Sequence, residues 1–594
     1  MTTDHSFLRE AGRIINAGQS RSLILHGNVH DLFATECVES GEIDYVDLGS
    51  LLESRWSLAG NIIIRYELNG LIRIPSRSVE SVKKAWDQLR GVDDRDERAI
   101  REMLGKKVEK SAAPNLTDRI RGAVGDSVQA LEILRQITLC SRQGLIESRV
   151  IILIDNADVI LPEGPLVNLS ENDRIRVCKI QDWFSEPSFA KGEDTVVLIA
   201  EAESLINHRV SRLPQVLSVE IGSPDVDARK NFIQWFNATL PENRKLKRGM
   251  SQAEIAGLSA GLSLYALQQL LKGAAYRNES LRPEDVVEKV ESFIVDQIGE
   301  EVIEFKKPGH GLKDVVGFAR LKSYLKNDFI PRIRSTDVSA LSGAAVAGPI
   351  GSGKSFVFEA VAGELGIVVI TIKNIRSQWF GQTDVLFEKL KRVLESVGRA
   401  LIFIDEADTQ FGGVGRNAHS TERRLTGKVQ ALMSDPAMKG KVTWLLITAR
   451  IHLLSPDIRR PGRAGSLIIP VLDPEGGDHE AFLKWSLKGV VDGEISAKEM
   501  DRLREKTEGY SAAQFANLRG ELCSHPEKLS IEAVETLIDD MIPPDIAQTR
   551  RYQTLQALVN CTRKSLLDDP RGFSETRRKE WRDEIAFLER LGVE

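Results

Sequence analysis

The residues Gly348-Pro349-Ile350-Gly351-Ser352-Gly353-Lys354-Ser355 fit the pattern GxxxxGK[ST], between an apolar run and the helical stretch FVFEAVAGEL that opens at Phe356. In that setting the glycines let successive backbone N–H groups turn inward around phosphate oxygens, and the following helix presents its positive end to the same anion. Lys354 adds a cation at the β- and γ-phosphates, and Ser355 a hydroxyl for Mg²⁺. The predicted ligand is ATP with Mg²⁺, held by residues 348–355 with Phe356 next in line.

Fifty-seven residues after Gly348, the run Ala400-Leu401-Ile402-Phe403-Ile404 ends in Asp405-Glu406. A buried strand closes on two carboxylates only where they have work, because an unpaired carboxylate in a core is costly. Successive side chains diverge at a strand end, so Asp405 can face the Mg²⁺ shell while Glu406 faces the attacking water as general base.

These residues need a sheet to position them. Short apolar runs alternate with longer helical periodicities, the mark of a parallel sheet wrapped by helices, and the pattern occurs twice. In the second half the strands read 343–347, 367–373, 400–405, 442–448 and 466–471; in the first half, 22–26, 61–66, 150–155, 195–200 and 216–221. IILIDNAD, ending at Asp158, parallels LIFIDEAD, ending at Asp408, and GLSLYALQQLL from Gly261 parallels GYSAAQFANLR from Gly509. The spacing from Asp155 to Gly261 is 106 residues and that from Asp405 to Gly509 is 104, which predicts a duplicated module.

The fold expected is α/β, with two tandem modules, each a five-stranded parallel sheet followed by a small helical lid. The boundaries read as 1–222 and 223–300 for the first sheet domain and lid, 301–312 for a linker, 313–472 and 473–545 for the second pair, and 546–594 for a helical tail. A charged insertion at 76–115 interrupts the first sheet domain.

Composition narrows the function. Of 594 residues, 42% are hydrophobic and 28% charged, and 80 basic against 86 acidic side chains give a net charge of -6, so no global field draws the chain to nucleic acid. Five scattered cysteines without CxxC spacing argue against a disulfide framework and a zinc site. No signal sequence and no apolar run of about 20 residues is visible, which predicts a soluble, cytoplasmic protein without a membrane partner.

The second half resembles the AAA family proper of the AAA+ ATPases, the group of proteasomal ATPases, katanin-like severing enzymes and FtsH-like proteases, over about residues 312–545. LKDVVGFARLKSYL resembles the family's entry segment, which implies Val316 and Gly317 against adenine. SPDIRRPGR resembles the second region of homology, which implies Arg460 and Arg463 as arginine fingers reaching a neighbouring subunit's γ-phosphate, and so a homo-oligomeric ring, a hexamer. GYSAAQFANL resembles the lid signature, with Ala512 and Ala513 beside the nucleotide. Trp379-Phe380-Gly381 lies where the family carries a pore loop that grips an extended polypeptide. The sensor position departs from the family's Thr-Asn and reads Thr448-Ala449-Arg450, so Thr448 or Arg450 must orient water or sense the γ-phosphate.

In the first copy the strand SLILH runs into Gly27-Asn28-Val29-His30-Asp31, with no Gly-Lys-Ser/Thr, and Asn156 stands in the general-base position. An amide cannot take a proton from water, so this module is expected to be a degenerate scaffold. The function expected is an ATP-dependent motor that threads or unfolds a protein client through a ring. The alternatives are a nucleotide-switched assembly scaffold and, behind it, a nucleic-acid remodeller.

Overall fold

The structure is a computed structural model, and it describes residues 4–37, 41–89, 115–247, 249–300, 302–306, 309–335, 337, 339–365, 367–373, 383–397, 399–411, 420–460, 462–492, 495–542, 544–567 and 569–593. The chain divides into two compact units, Met1–Phe293 and Ile294–Glu594.

In the first unit β1 (Ser22–Gly27) is followed by a hairpin of β2 (Leu32–Glu36) and β3 (Ile43–Asp47), then by β4 (Ile62–Tyr66), β5 (Val150–Ile154), β6 (Thr195–Ala200) and β7 (Val216–Ile221). The main sheet is parallel, in the order β4-β5-β6-β1-β7. Its central strands VIILI and TVVLIA are buried at every residue, as expected where helices cover both faces. The hairpin is an addition that the sequence reading passed over. Its ten paired residues carry only weak alternation, and their burial is partial. Of the charged insertion, 76–89 is helical and 90–114 lies outside the described residues.

The second unit contains β8 (Ile303–Phe305), β9 (Gly343–Ala347), β10 (Val368–Ile372), β11 (Ala400–Ile404), β12 (Val442–Thr448) and β13 (Ile468–Pro470), in the order β13-β9-β12-β11-β10-β8. The last five in chain order reproduce the order of the first sheet, strand for strand. β8 is a sixth, antiparallel strand, pairing Ile303 with Ile372 and Phe305 with Ile370. Ile303–Phe305, within the segment expected as a linker, thus covers an otherwise open sheet edge. The lid helices 476–487, 497–506, 512–524 and 531–540 follow, two of them closed by Ser-x-x-Glu or Ser-x-x-Gln capping boxes at Ser496 and Ser511. The tail consists of the helices Ala547–Asn560 and Glu575–Arg590, joined by an Arg551–Glu584 ion pair and a Tyr552–Glu589 hydrogen bond. Among the described residues no helix is long and apolar enough to cross a membrane.

Candidate nucleotide site

β9 is buried throughout and delivers the chain to Gly348 at the edge of the sheet. There the backbone passes so close to β13 that a Cβ on Gly348 would lie 1.9 Å from the Val471 carbonyl oxygen. Gly351 and Gly353 follow at φ +80° and +87°, a region that glycine enters without steric cost, and the helix Lys354–Leu365 begins directly after them. Lys354 Nζ donates to the Gly348 and Pro349 carbonyls at 3.0 and 2.8 Å, and burial pushes its pKa down to about 8. The Ser352 hydroxyl is fully buried in the loop with no hydrogen-bond partner among the described residues.

Ser355 Oγ donates to Asp405 Oδ2 at 3.1 Å, so the loop hydroxyl and the first strand-end carboxylate meet. Asp405 Oδ1 accepts from the backbone N–H of Glu406, and Glu406 itself sits at φ 47°, a left-handed conformation unusual for a residue with a long side chain. Among the described residues no cluster of three His, Cys, Asp or Glu side chains suits a metal. A hydroxyl and one carboxylate beside an orphaned loop hydroxyl and a glycine cradle do suit Mg²⁺ that arrives with phosphate oxygens.

The lid closes on the same loop. Ala513 N–H donates to the Gly351 carbonyl at 3.0 Å, and Ala512 Cβ lies 3.4 Å from where a Cβ on Gly353 would stand. Gly317 lines a cavity of about 730 Å³ with Phe318 and Asp473. Its neighbour Val316 is half-buried against the core. Phe356 is half-exposed, with the His310 ring stacked on it at 4.0 Å, a partner that nothing in the sequence announced.

The sensor position is fully engaged. Thr448 Oγ1 donates to Asp408 Oδ1 at 2.6 Å and accepts from Arg450 N–H at 2.8 Å, while Arg450 Nε donates to Asp408 Oδ2 at 2.7 Å. Buried Asp408 is the hub, and sequence reasoning had given it no role. Arg460 and Arg463 are held in their own loop, Arg460 by the Asp457 carboxylate at 3.1 Å and Arg463 by the Asp457 carbonyl at 3.1 Å. Trp379, Phe380 and Gly381 lie outside the described residues, as does the glycine-rich segment 412–416.

The matching positions of the first unit are filled differently. Gly27 keeps the close approach, with a Cβ there 2.5 Å from the Ile221 carbonyl oxygen, but the hairpin β2-β3 replaces the phosphate loop. Asp155, in the place of Asp405, is bonded at 3.1 Å by Arg65, which stands at the register position of Thr371. The guanidinium occupies the space beside Gly49 in the first turn of the helix Leu48–Ser57 and also lies 4.0 Å from Asp47. The lid is fastened by Asp31, whose buried carboxylate accepts from Asn28 Nδ2, Leu32 N–H and Tyr265 N–H at 2.7, 2.8 and 2.8 Å. Burial raises the Asp31 pKa despite these donors. Tyr45 of the hairpin packs edge-on against Phe232 of the lid at 4.9 Å and against Trp235 at 4.7 Å.

Comparison with known proteins agrees with this division. Residues 5–222 match a family model described as AAA+ chaperone, N-terminal Rossmann-like domain; residues 227–299 match AAA+ chaperone, second helical domain; and residues 344–470 match the ATPase family associated with various cellular activities (AAA). The Cell division cycle protein 48 homolog of Archaeoglobus fulgidus is 25% identical over 398 residues, 61% of this chain and 53% of that protein. The ATP-dependent zinc metalloprotease FtsH of Mycoplasma mobile is 30% identical over 210 residues, 34% of this chain and 29% of that protein. Peroxisomal ATPase PEX1 of Arthrobotrys oligospora is 26% identical over 330 residues, 50% of this chain and 27% of that protein. The chain thus spans between about a quarter and just over half of the length of these relatives. Two sheets of one strand order, each followed by its helical lid, and family matches in both halves place the chain among the AAA+ ATPases, with its modules in tandem and the phosphate loop kept in the second alone.

Proposed function

We propose that the chain hydrolyses ATP in its second module and uses the cycle to remodel a protein client. The observation that carries this is the Ser355–Asp405 bond at the glycine loop, with Glu406 next in the chain at a left-handed φ. Mg²⁺, held by Ser355 and Asp405 together with phosphate oxygens, would supply charge neutralisation on the phosphates. Lys354 would leave the Gly348 and Pro349 carbonyls for the phosphate oxygens. Glu406 would hold the proton of the attacking water. Asp408 holds Thr448 and Arg450 at the sensor position.

Arg460 is exposed and Arg463 part-exposed, and among the described residues both side chains are bonded within their own loop, which suits groups that act on a neighbouring copy in a homohexameric ring. The first module serves as scaffold, because Arg65 neutralises Asp155 and Asn156 cannot act as base. Threading rests on the sequence of Trp379-Phe380-Gly381. Loss of substrate-stimulated ATPase and of client unfolding in Trp379→Ala, with basal turnover kept, is the expected result; full remodelling by that variant would rule out threading.

A nucleotide-switched scaffold is the second reading, favoured by the sensor hydroxyl being wholly committed to Asp408 and Arg450. Glu406→Gln separates the two, since a switch keeps its output when held with ATP and a motor loses it. A nucleic-acid remodeller ranks last, given the net charge of -6.

A further inference from the structure

The tail helix Ala547–Asn560 buries Tyr552, Gln553, Leu555, Gln556 and Ala557, with Tyr552 and Leu555 clustered with Ile585 and Leu588 of the second tail helix. Two glutamines on a buried face are costly unless their amides are bonded, so their partners say what the helix is built to touch. Gln553, 2% exposed, accepts from the Ile350 N–H of the phosphate loop at 2.9 Å. One turn earlier, Arg550 donates to Asp473 at 2.5 Å and to Gln514 of the lid helix at 3.3 Å, and its Nε has no partner among the described residues. The N-terminal half of the helix therefore touches loop, sheet edge and lid of its own nucleotide site.

Between Arg550 and Gln553, the Tyr552 ring stands edge-on to His452 at 5.2 Å, just beyond the sensor strand. The C-terminal end touches something else. Asn560 accepts from Arg459 Nη1 at 3.1 Å, and Thr562 Oγ1 accepts from Ile468 N–H at 2.9 Å. Arg459 is the residue before Arg460, so the far end of the helix holds the base of the loop that carries Arg460 and Arg463. Ten residues of helix separate Arg550 from Asn560, a stiff span of about 15 Å.

We propose that this helix is a strut that positions the arginine-finger loop according to the state of the nucleotide site in the same subunit. Gln553 and Arg550 are the residues that read the site, and Asn560, through Arg459, is the residue that sets the loop. A triphosphate that draws the lid onto the phosphate loop changes the seat of Gln514 and Ile350 together. The helix carries that change to Arg459, and so to guanidiniums that would serve the next subunit. This inference rests on the reading of Arg460 and Arg463 as groups acting in trans.

The test is Asn560→Ala in the full chain, read by the Kd for MgATP on the Glu406→Gln background and by steady-state kcat. The expected result is a Kd within about twofold of the unmutated site and a kcat lowered on the order of tenfold, restored by Asn560→Asp, which keeps an acceptor for Arg459. Should Asn560→Ala fail to fold, Arg459→Ala removes the same bond from the other side and should give the same split. An unchanged kcat, a Kd that weakens in step with kcat, or no restoration by Asn560→Asp would overturn the strut. Absence of turnover in the unmutated chain would instead overturn the reading of the site itself.

Discussion

Asp155-Asn156 and Asp405-Glu406 end matching strands of the two sheets, and the second residue of each pair sits at a left-handed φ, 51° in Asn156 and 47° in Glu406. The turn is therefore a property of the fold and not of the chemistry. Asparagine tolerates it; glutamate pays roughly 1 kcal/mol or more for it. The strained choice survives only in the module that keeps the phosphate loop. Its counterpart carries a relaxed residue, and an arginine sits on the neighbouring carboxylate. The same contrast recurs at the lid, which rests on the Gly351 carbonyl of the loop in one module and on the buried Asp31 carboxylate in the other. One lid is tied to the backbone of the phosphate loop, the other to a buried side chain.

The largest effect should come from the general base. Glu406→Gln is expected to lower kcat by about 10² to 10⁴ while MgATP binding persists, and Asn156→Glu should create no turnover in a Lys354→Ala background, both measured by phosphate release. Next, Arg65→Ala leaves Asp155 without its cation in a mostly buried setting and should destabilise the first module by about 2–3 kcal/mol, seen as a lower first calorimetric transition. If the first module instead gains MgATP binding at no cost in stability, the contrast drawn here is wrong.

Lys354 supplies a pH signature that the first module lacks. Its folded pKa of about 8 lies below the ordinary lysine value, so the ammonium is charged below about pH 8 and is lost as pH rises through it. Phosphate binding favours the charged form. Affinity for MgATP should hold up to about pH 8 and then weaken by up to about tenfold per pH unit, measured with a fluorescent nucleotide. The free second module should gain stability over the same rise, because the unfolded chain still binds the proton there. The smallest effect is Glu406→Asn, which relieves the left-handed strain and should raise the stability of the second module by about 1 kcal/mol; an equal gain from Asn156→Gly would blur the comparison.

The parallel strands of both sheets and the phosphate loop were legible because continuous apolar strands and a spaced glycine loop are local signals. The duplication was legible from IILIDNAD against LIFIDEAD. Other features were not. β8 is three residues long and gains its identity only from pairing with β10. The β2-β3 hairpin has no tight Gly-containing turn of two residues to announce it, and nothing local says that Arg65 would reach Asp155, 90 residues away. Nothing local to Asp408 says that Thr448 and Arg450, 40 and 42 residues on, would converge on it. Gln553 on Ile350 spans 203 residues, and no periodicity carries that information.

The central claim is that one module of the two handles nucleotide, and the count of bound nucleotide tests it most directly. Equilibrium binding of MgATP to the Glu406→Gln chain should saturate at one nucleotide per chain and vanish with Lys354→Ala. Two nucleotides per chain, or one that persists without Lys354, would contradict it.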